Sequence, residues 1–255
     1  MPDSVNIATL KPEQLIAHRG YQRHFPENSP LAIEKAIACG ARFIEIDVQF
    51  SADAIPLLYH DDTLNRISGI DATLSQYHFR ALQDITAGEP ERLGQRFADV
   101  KIAPLSALVA ILQRHPQVQI FVELKEEAVR DYGALMCLDS IRATLAPVIE
   151  RCVLISFDIA ALYSARTAGF RRIGPVIRDW HNRQAIADEL DAEILFCNYT
   201  RVATDDSLLM KNCAVALYEI DNIALAQELF TRGASFLETF AIGDMLGSHE
   251  LASHE

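Results

Sequence analysis

Positive charge is scarce in this chain. Its 255 residues carry 23 Lys and Arg against 35 Asp and Glu, a formal net charge of −12. A surface of that sign repels a nucleic-acid backbone or an anionic bilayer, which excludes either as the main partner. A small phosphorylated molecule is still possible, because local charge at a site can differ from the net. Cysteine is sparse as well: five residues, at 39, 137, 152, 197 and 213, scattered and mostly in apolar surroundings. The odd number and the scatter argue against a disulfide framework or a zinc site and for reduced core cysteines in a cytoplasmic protein. No apolar run is long enough to span a bilayer, and Met1-Pro2-Asp3-Ser4 lacks the basic start and apolar core of a secretory signal. Low-complexity segments and internal domain boundaries are missing too, so one domain over 1–255 is expected.

What the chain does have is apolar substance and rhythm. Half of its residues are hydrophobic, enough for a sizeable core. Short strands are expected at 15–17, 42–48, 117–124, 152–156, 172–177, 193–197, 214–219 and 235–238. Helices are expected at 30–39, 104–114, 129–146, 159–168, 181–190, 205–211 and 223–232. Ser29 followed by Pro30 reads as an N-cap and first helical residue, and Gly40 as the stop. The later strands start roughly every 21 residues, the mark of a repeated βα unit. Eight such units in about 250 residues predict an α/β fold, a TIM (β/α)8 barrel. A doubly wound open sheet is the alternative. The irregular stretch 61–103, after an extended piece at 55–59, reads as a small insertion or lid after strand 2, with a helix near 74–84. Residues 1–14 read as a polar lead-in and the tail beyond 246 as loosely held.

Acids interrupt the apolar strand Arg42-Phe43-Ile44-Glu45-Ile46-Asp47-Val48. Side chains alternate along a strand, so Glu45 and Asp47 share a face. Two buried carboxylates side by side repel and lose hydration; a divalent cation, or a paired Arg or Lys, relieves both. In a barrel, strand ends converge on one face, where active sites lie. His18 and Arg19 end strand 1, His60 follows strand 2, and Glu123 and Lys125 end strand 3, so seven ionisable residues are expected at one corner. Glu45, Asp47 and Glu123 are hard oxygen donors suited to Mg²⁺ or Ca²⁺. Arg19 and Lys125 can balance the surplus charge and bind a phosphate. His18 and His60 are a candidate acid–base pair. Together these point to phosphoryl chemistry.

The runs His18-Arg19-Gly20, Pro26-Glu27-Asn28-Ser29, Glu45-Ile46-Asp47-Val48, His60-Asp61 and Glu123-Leu124-Lys125 resemble those of the glycerophosphodiester phosphodiesterase family, in order and approximate spacing over 15–125. Ile155-Ser156-Phe157-Asp158 is similar further on. The resemblance implies a TIM barrel with a small insertion after the second strand, and hydrolysis of a glycerophosphodiester, such as glycerophosphocholine or glycerophosphoethanolamine, to sn-glycerol 3-phosphate and an alcohol. It implies a divalent cation at Glu45, Asp47 and Glu123 and acid–base work by His18 and His60. A monomer or homodimer acting on this small-molecule substrate is expected. Where the family commonly has Trp-Thr-Val-Asn, this chain has Tyr218-Glu219-Ile220-Asp221, and Phe240 stands where an Asp often follows Thr239. These changes touch the substrate end. Glu27, Asn28, Phe157, Trp180 and Tyr218 are further candidates for lining the site. Two alternatives stand beside this reading: a lysophospholipid-cleaving enzyme with an apolar lane at Leu74, Tyr77, Phe79 and Leu82, and a catalytically silent barrel that binds phosphorylated ligands.

Overall fold

The computed structural model describes residues 10–248; Met1–Ser4, most of the polar lead-in and the end of the tail lie outside them. Nine strands form one sheet: β1 (Leu15–Ala17), β2 (Phe43–Phe50), β3 (Pro56–Leu58), β4 (Gln119–Leu124), β5 (Cys152–Ser156), β6 (Ile173–Ile177), β7 (Ile194–Asn198), β8 (Ala214–Tyr218) and β9 (Phe236–Thr239). All except β3 pair in parallel, in the ring order β1-β2-β4-β5-β6-β7-β8-β9. The ring closes because β1 is hydrogen-bonded on both sides, with Ile16 opposite Phe43 of β2 and opposite Glu238 of β9. An eight-stranded parallel barrel therefore replaces the open-sheet alternative. The ninth strand, β3, runs antiparallel to the far end of β2, with Val48 opposite Leu58, and leads into the insertion.

Strand alternation divides the apolar residues into two layers. Outward side chains such as Ile44, Ile46 and Val48 of β2 pack under the helices in a continuous core. Inward ones, among them Ile16, Phe121, Val153, Ile155, Val176 and Phe196, fill the barrel. Phe43 lies 5.1 Å from Phe236 and 6.2 Å from Phe121, ring centre to ring centre, and Phe121 lies 5.1 Å from Phe196. These aromatics plug the barrel at the end where its strands begin. Where the strands end, β2 turns its acids inward.

Helices follow the expected positions with three differences. The 129–146 helix is two, Glu126–Tyr132 and Ala134–Leu145, parted at Gly133, whose φ of +80° no helix accommodates. The helix expected at 205–211 does not form. There the Leu208 N–H donates to the Arg232 carbonyl at 3.0 Å, while the Arg232 guanidinium donates to the carbonyls of Ala203 and Asp206. Tertiary hydrogen bonds thus satisfy backbone groups that a two-turn helix would have used. In the insertion the helix near 74–84 is reduced to a 3₁₀ turn, Leu74–Gln76, and one helical turn, Phe79–Leu82. Leu74 and Leu82 are buried in the insertion's own small core with Leu64 and Ile67. Tyr77 and Phe79 are half-buried against the same cluster, so of the expected acyl lane Leu74 and Leu82 are closed to a ligand. All five cysteines are free, four of them buried.

Candidate active site

The site begins where β1 stops. After Ala17 the chain must leave the barrel at once, and it does so through Arg19 and Gly20, both left-handed, at φ +54° and +81°. Left-handed backbone in a non-glycine residue is a strain that persists only where its surroundings impose it. Here the Arg19 N–H donates to Glu45 Oε2 at 3.1 Å, and the guanidinium donates to Glu27 Oε1 at 2.8 Å and pairs with Asp47 Oδ2 at 3.0 Å. Gly20 allows the turn, because a Cβ there would stand 2.6 Å from the Ala32 backbone carbon. Gly20→Ala is therefore expected to destabilise the protein by about 2 kcal/mol or more, the joint effect of left-handed strain and overpacking. Urea unfolding would measure it; an unchanged midpoint would mean that the turn is looser than this contact implies.

Asp47 is clasped from the next loop. Asn28 Nδ2 donates to Asp47 Oδ2 at 2.8 Å, and Asn28 Oδ1 accepts the Asp47 N–H at 3.0 Å. Glu27, buried beside it, accepts from Arg19 and from both terminal nitrogens of Arg66 at 2.8 and 2.9 Å. Burial pushes the Glu27 carboxyl up, but Arg66 and Arg19 outweigh it and bring it down to about 2. Glu27 and Asn28 thus brace the acids and the arginine, and neither lines the pocket. Arg66, from the insertion, also donates to both oxygens of Asp61, at 2.8 and 2.9 Å. Asp61 in turn holds His60 Nδ1 at 2.6 Å, which fixes the ring and leaves Nε2 toward the open side. The insertion is thereby stitched to the rim by one guanidinium between two carboxylates.

The β4 pair completes the corner. Asp47 stands opposite Glu123 across the β2–β4 ladder. Lys125 Nζ donates to Glu123 Oε1 at 2.7 Å and to Asp47 Oδ1 at 3.3 Å. Burial opposes the charge on Lys125, yet Asp47 and Glu123 hold its ammonium above the usual range. Burial also acts against charge on Asp47, but Lys125 and Arg19 keep that carboxyl well below the usual range. Glu45 goes the other way: burial, then Asp47 and Glu238, push it well above. Glu123 is raised by burial despite Lys125. His18 is brought down to about 3 by burial and by Arg19, so its imidazole is neutral at pH 7.

One oxygen each from Glu45, Asp47 and Glu123 lie within 4.8 Å of one another. Glu45 Oε1 is buried and has no hydrogen-bond partner. An unpartnered buried carboxylate oxygen aimed into a set of hard donors is the arrangement that a Mg²⁺ or Ca²⁺ ion would satisfy. The three residues fit such a cation.

A pocket of about 160 Å³ opens over this corner, lined by His18, Arg19, Asp47, His60, Glu123 and Lys125 on one side and by Phe157, Phe196, Tyr218, Glu219 and Glu238 on the other. Phe157 carries the Arg178 guanidinium 4.1 Å above its ring. Trp180 does not reach the pocket. The chain turns outward after β6, and its indole, 1% exposed, packs between barrel and helices under Arg183. Of the substituted residues, Glu219 takes a left-handed backbone, φ +70°, at the pocket edge and accepts from Asn198 Nδ2 at 3.0 Å. Asp221 pairs with Arg23, and Phe240 lies under that same arginine. Glu238 was not among the expected site residues. It is inward on β9 and buried, 3.8 Å from His18 Nε2. The alternation that singles out Glu45 applies equally to Phe236 and Glu238 and would have found it.

Comparison with known proteins agrees with this architecture. The model of the glycerophosphoryl diester phosphodiesterase family matches residues 18–169. Human glycerophosphodiester phosphodiesterase 1 is 30% identical over 169 residues, covering 65% of this chain and 50% of the human protein. The chain spans about half the length of the curated relatives that it matches first. Among solved structures, a phosphodiesterase from Oleispira antarctica in complex with the product sn-glycerol-3-phosphate superposes with a TM-score of 0.79 at 22% identity, covering 93% of this chain and 96% of that one. A glycerophosphodiester phosphodiesterase from Agrobacterium tumefaciens gives 0.75 at 19% identity, over 92% and 99%. At these identities the superpositions speak for the fold, and the family match, over more than half of the chain, speaks for descent. The chain belongs to the glycerophosphoryl diester phosphodiesterase family.

Proposed function

We propose that this protein is a divalent-cation-dependent hydrolase that splits glycerophosphodiesters into sn-glycerol 3-phosphate and an alcohol. The observation that carries the reading is one corner where Asp47, Glu123, two histidines, Arg19 and Lys125 line a pocket, with the buried Glu45 near enough to Asp47 and Glu123 to share a cation with them. When bound at Glu45, Asp47 and Glu123, Mg²⁺ or Ca²⁺ would supply Lewis-acid polarisation of the phosphoryl oxygens.

The protein's own groups divide the remaining work. Arg19 and Lys125 place fixed positive charge where the phosphoryl oxygens gain negative charge. Their neighbouring acids hold them in position, so little reorganisation accompanies the reaction. His18, neutral at pH 7, accepts the proton of the attacking hydroxyl as its oxygen bonds to phosphorus. His60, oriented by Asp61, delivers a proton from Nε2 to the alkoxide as the ester P–O bond breaks. The roles exchange if the glycerol 2-hydroxyl attacks first and water then opens the cyclic ester. Phe157 and Tyr218 offer aromatic walls to the leaving alcohol.

The test is release of sn-glycerol 3-phosphate from a panel of diesters, with choline, ethanolamine, glycerol or inositol as leaving alcohol. Release from at least one diester is expected, to be abolished by EDTA and restored by added Mg²⁺ or Ca²⁺. No release from any member, or release indifferent to EDTA, would contradict the proposal.

A further inference from the structure

We infer that the pocket holds a second cation site beside the first, built from His18, Glu45 and Glu238, which takes a divalent ion of the Mn²⁺ or Zn²⁺ class. The inference rests on the cation reading above, because Glu45 belongs to both sites.

The geometry comes from three neighbouring strands. β9, β1 and β2 stand side by side in the barrel, and Glu238 of β9, His18 just past β1 and Glu45 of β2 are neighbouring inward residues. His18 Nε2 lies 3.8 Å from Glu45 Oε2 and 3.8 Å from Glu238 Oε1. Neither contact is short enough for a hydrogen bond. Each suits two donors about 2.1 Å from a common ion, a usual metal–nitrogen or metal–oxygen length. One ligand atom from each of the three residues falls within 4.8 Å of the other two.

Partnering points the same way. Glu45 and Glu238 are almost wholly buried. Glu45 Oε1 is buried and has no hydrogen-bond partner, and Oε2, which faces His18 Nε2, accepts from the Arg19 N–H. Glu45 has two oxygens, so it can give one to each ion. Charge also leaves room. Glu45, Asp47, Glu123 and Glu238 gather around Arg19 and Lys125, and Arg19 is shared with Glu27. One dication balances those four acids; the phosphodiester then arrives as a further negative charge, which a second dication would offset.

Donor type separates the two sites. The first offers oxygen alone and suits Mg²⁺ or Ca²⁺. The second includes an imidazole nitrogen, which favours transition-metal ions. Filling it occupies His18, so the second ion withdraws that imidazole from proton transfer. The first ion activates and the second inhibits.

The experiment is a titration of the cation-free full-length protein with Mn²⁺, following bound ion and turnover together, with electron paramagnetic resonance to detect coupling between ions. Two Mn²⁺ per chain are expected, spin-coupled through the shared carboxylate, with turnover rising as the first binds and falling as the second does. Glu238→Gln, of nearly equal volume, should bind one, and Glu123→Gln should retain the other; circular dichroism checks that both fold. One Mn²⁺ per chain in the wild type, unaffected by Glu238→Gln, would mean that Glu45 and Glu238 relieve their repulsion by sharing a proton. That result would overturn the second site and leave the first intact. No bound Mn²⁺ would overturn both. Two bound ions without inhibition would exclude His18 from the ligand set and overturn the site as drawn.

Discussion

Replacing Glu45 with glutamine is expected to cut turnover by at least about a hundred-fold, equivalent to about 3 kcal/mol of lost transition-state stabilisation. The same change should leave the cation-free protein at least as stable as the wild type. These two effects have one cause. In the folded, cation-free state Glu45 is buried among Asp47, Glu123 and Glu238, and burial with those neighbours raises its pKa well above the carboxylate range. A carboxyl raised in the folded state binds a proton there that the unfolded chain has released. Its contribution to stability is therefore present below the unfolded pKa and fades as pH rises through the folded one. At neutral pH this carboxylate works against the fold, and a neutral amide of the same shape does not. The cation reverses the balance, since it binds the folded site and not the unfolded chain. The wild type should accordingly gain several degrees in melting temperature with saturating Mg²⁺, and gain more at pH 8 than at pH 5, where protons compete for the same oxygens. Glu45→Gln should lose most of that gain. Thermal melts with and without Mg²⁺ at the two pH values measure it. A variant that keeps the full Mg²⁺-induced rise would place the ion elsewhere.

The expectations from sequence were most accurate where a local rule decides the outcome. Period-two alternation places Glu45 and Asp47 on one face of β2, and the structure turns both into the barrel, because the opposite face carries Ile44, Ile46 and Val48 for the helices. Strand spacing gives the eight-membered ring, and the tips of adjacent strands then meet by closure alone. The braces were harder to read. Glu27 and Asn28 stand out in the chain as loop polar residues, and only the fold shows that one holds Arg19 and the other Asp47. Arg66 lies in the least regular stretch, where no periodicity flags it, yet it joins the insertion to Glu27 and Asp61 across 39 and 5 residues of sequence. Trp180 shows the opposite failure. A strand-end aromatic faces the pocket or the core depending on which way the chain turns next, and a short 3₁₀ turn settled that against the pocket. Glu238 obeys the same alternation rule, since Phe236 and Glu238 face into the barrel from β9 as Phe43 and Glu45 do from β2.

His18→Ala is the second change expected to have a large effect, at least about a hundred-fold on kcat, the scale of a lost general base. Its signature should differ from that of Glu45→Gln. None of the three oxygen donors is touched, so the Mg²⁺-induced rise in melting temperature should survive and KM should move little. Stability should respond in a way that only a buried neutral imidazole explains. Burial and the Arg19 charge bring the His18 pKa to about 3 in the folded protein. An unfolded histidine titrates near 6.5, so between these values the unfolded state carries a proton that the folded state refuses. The wild type therefore loses stability from this residue as pH falls from about 6.5 toward 3, by at most about 1.4 kcal/mol per pH unit, and holds it in full above. Alanine has no such proton, so the variant's stability should fall less steeply over that window. Chemical unfolding at pH 7, 6 and 5 without added cation gives both slopes. A steeper fall for the alanine variant than for the wild type would show that His18 is protonated in the fold. A protonated imidazole cannot accept the proton of the attacking hydroxyl, and the proposed division of labour between His18 and His60 would then have to be exchanged.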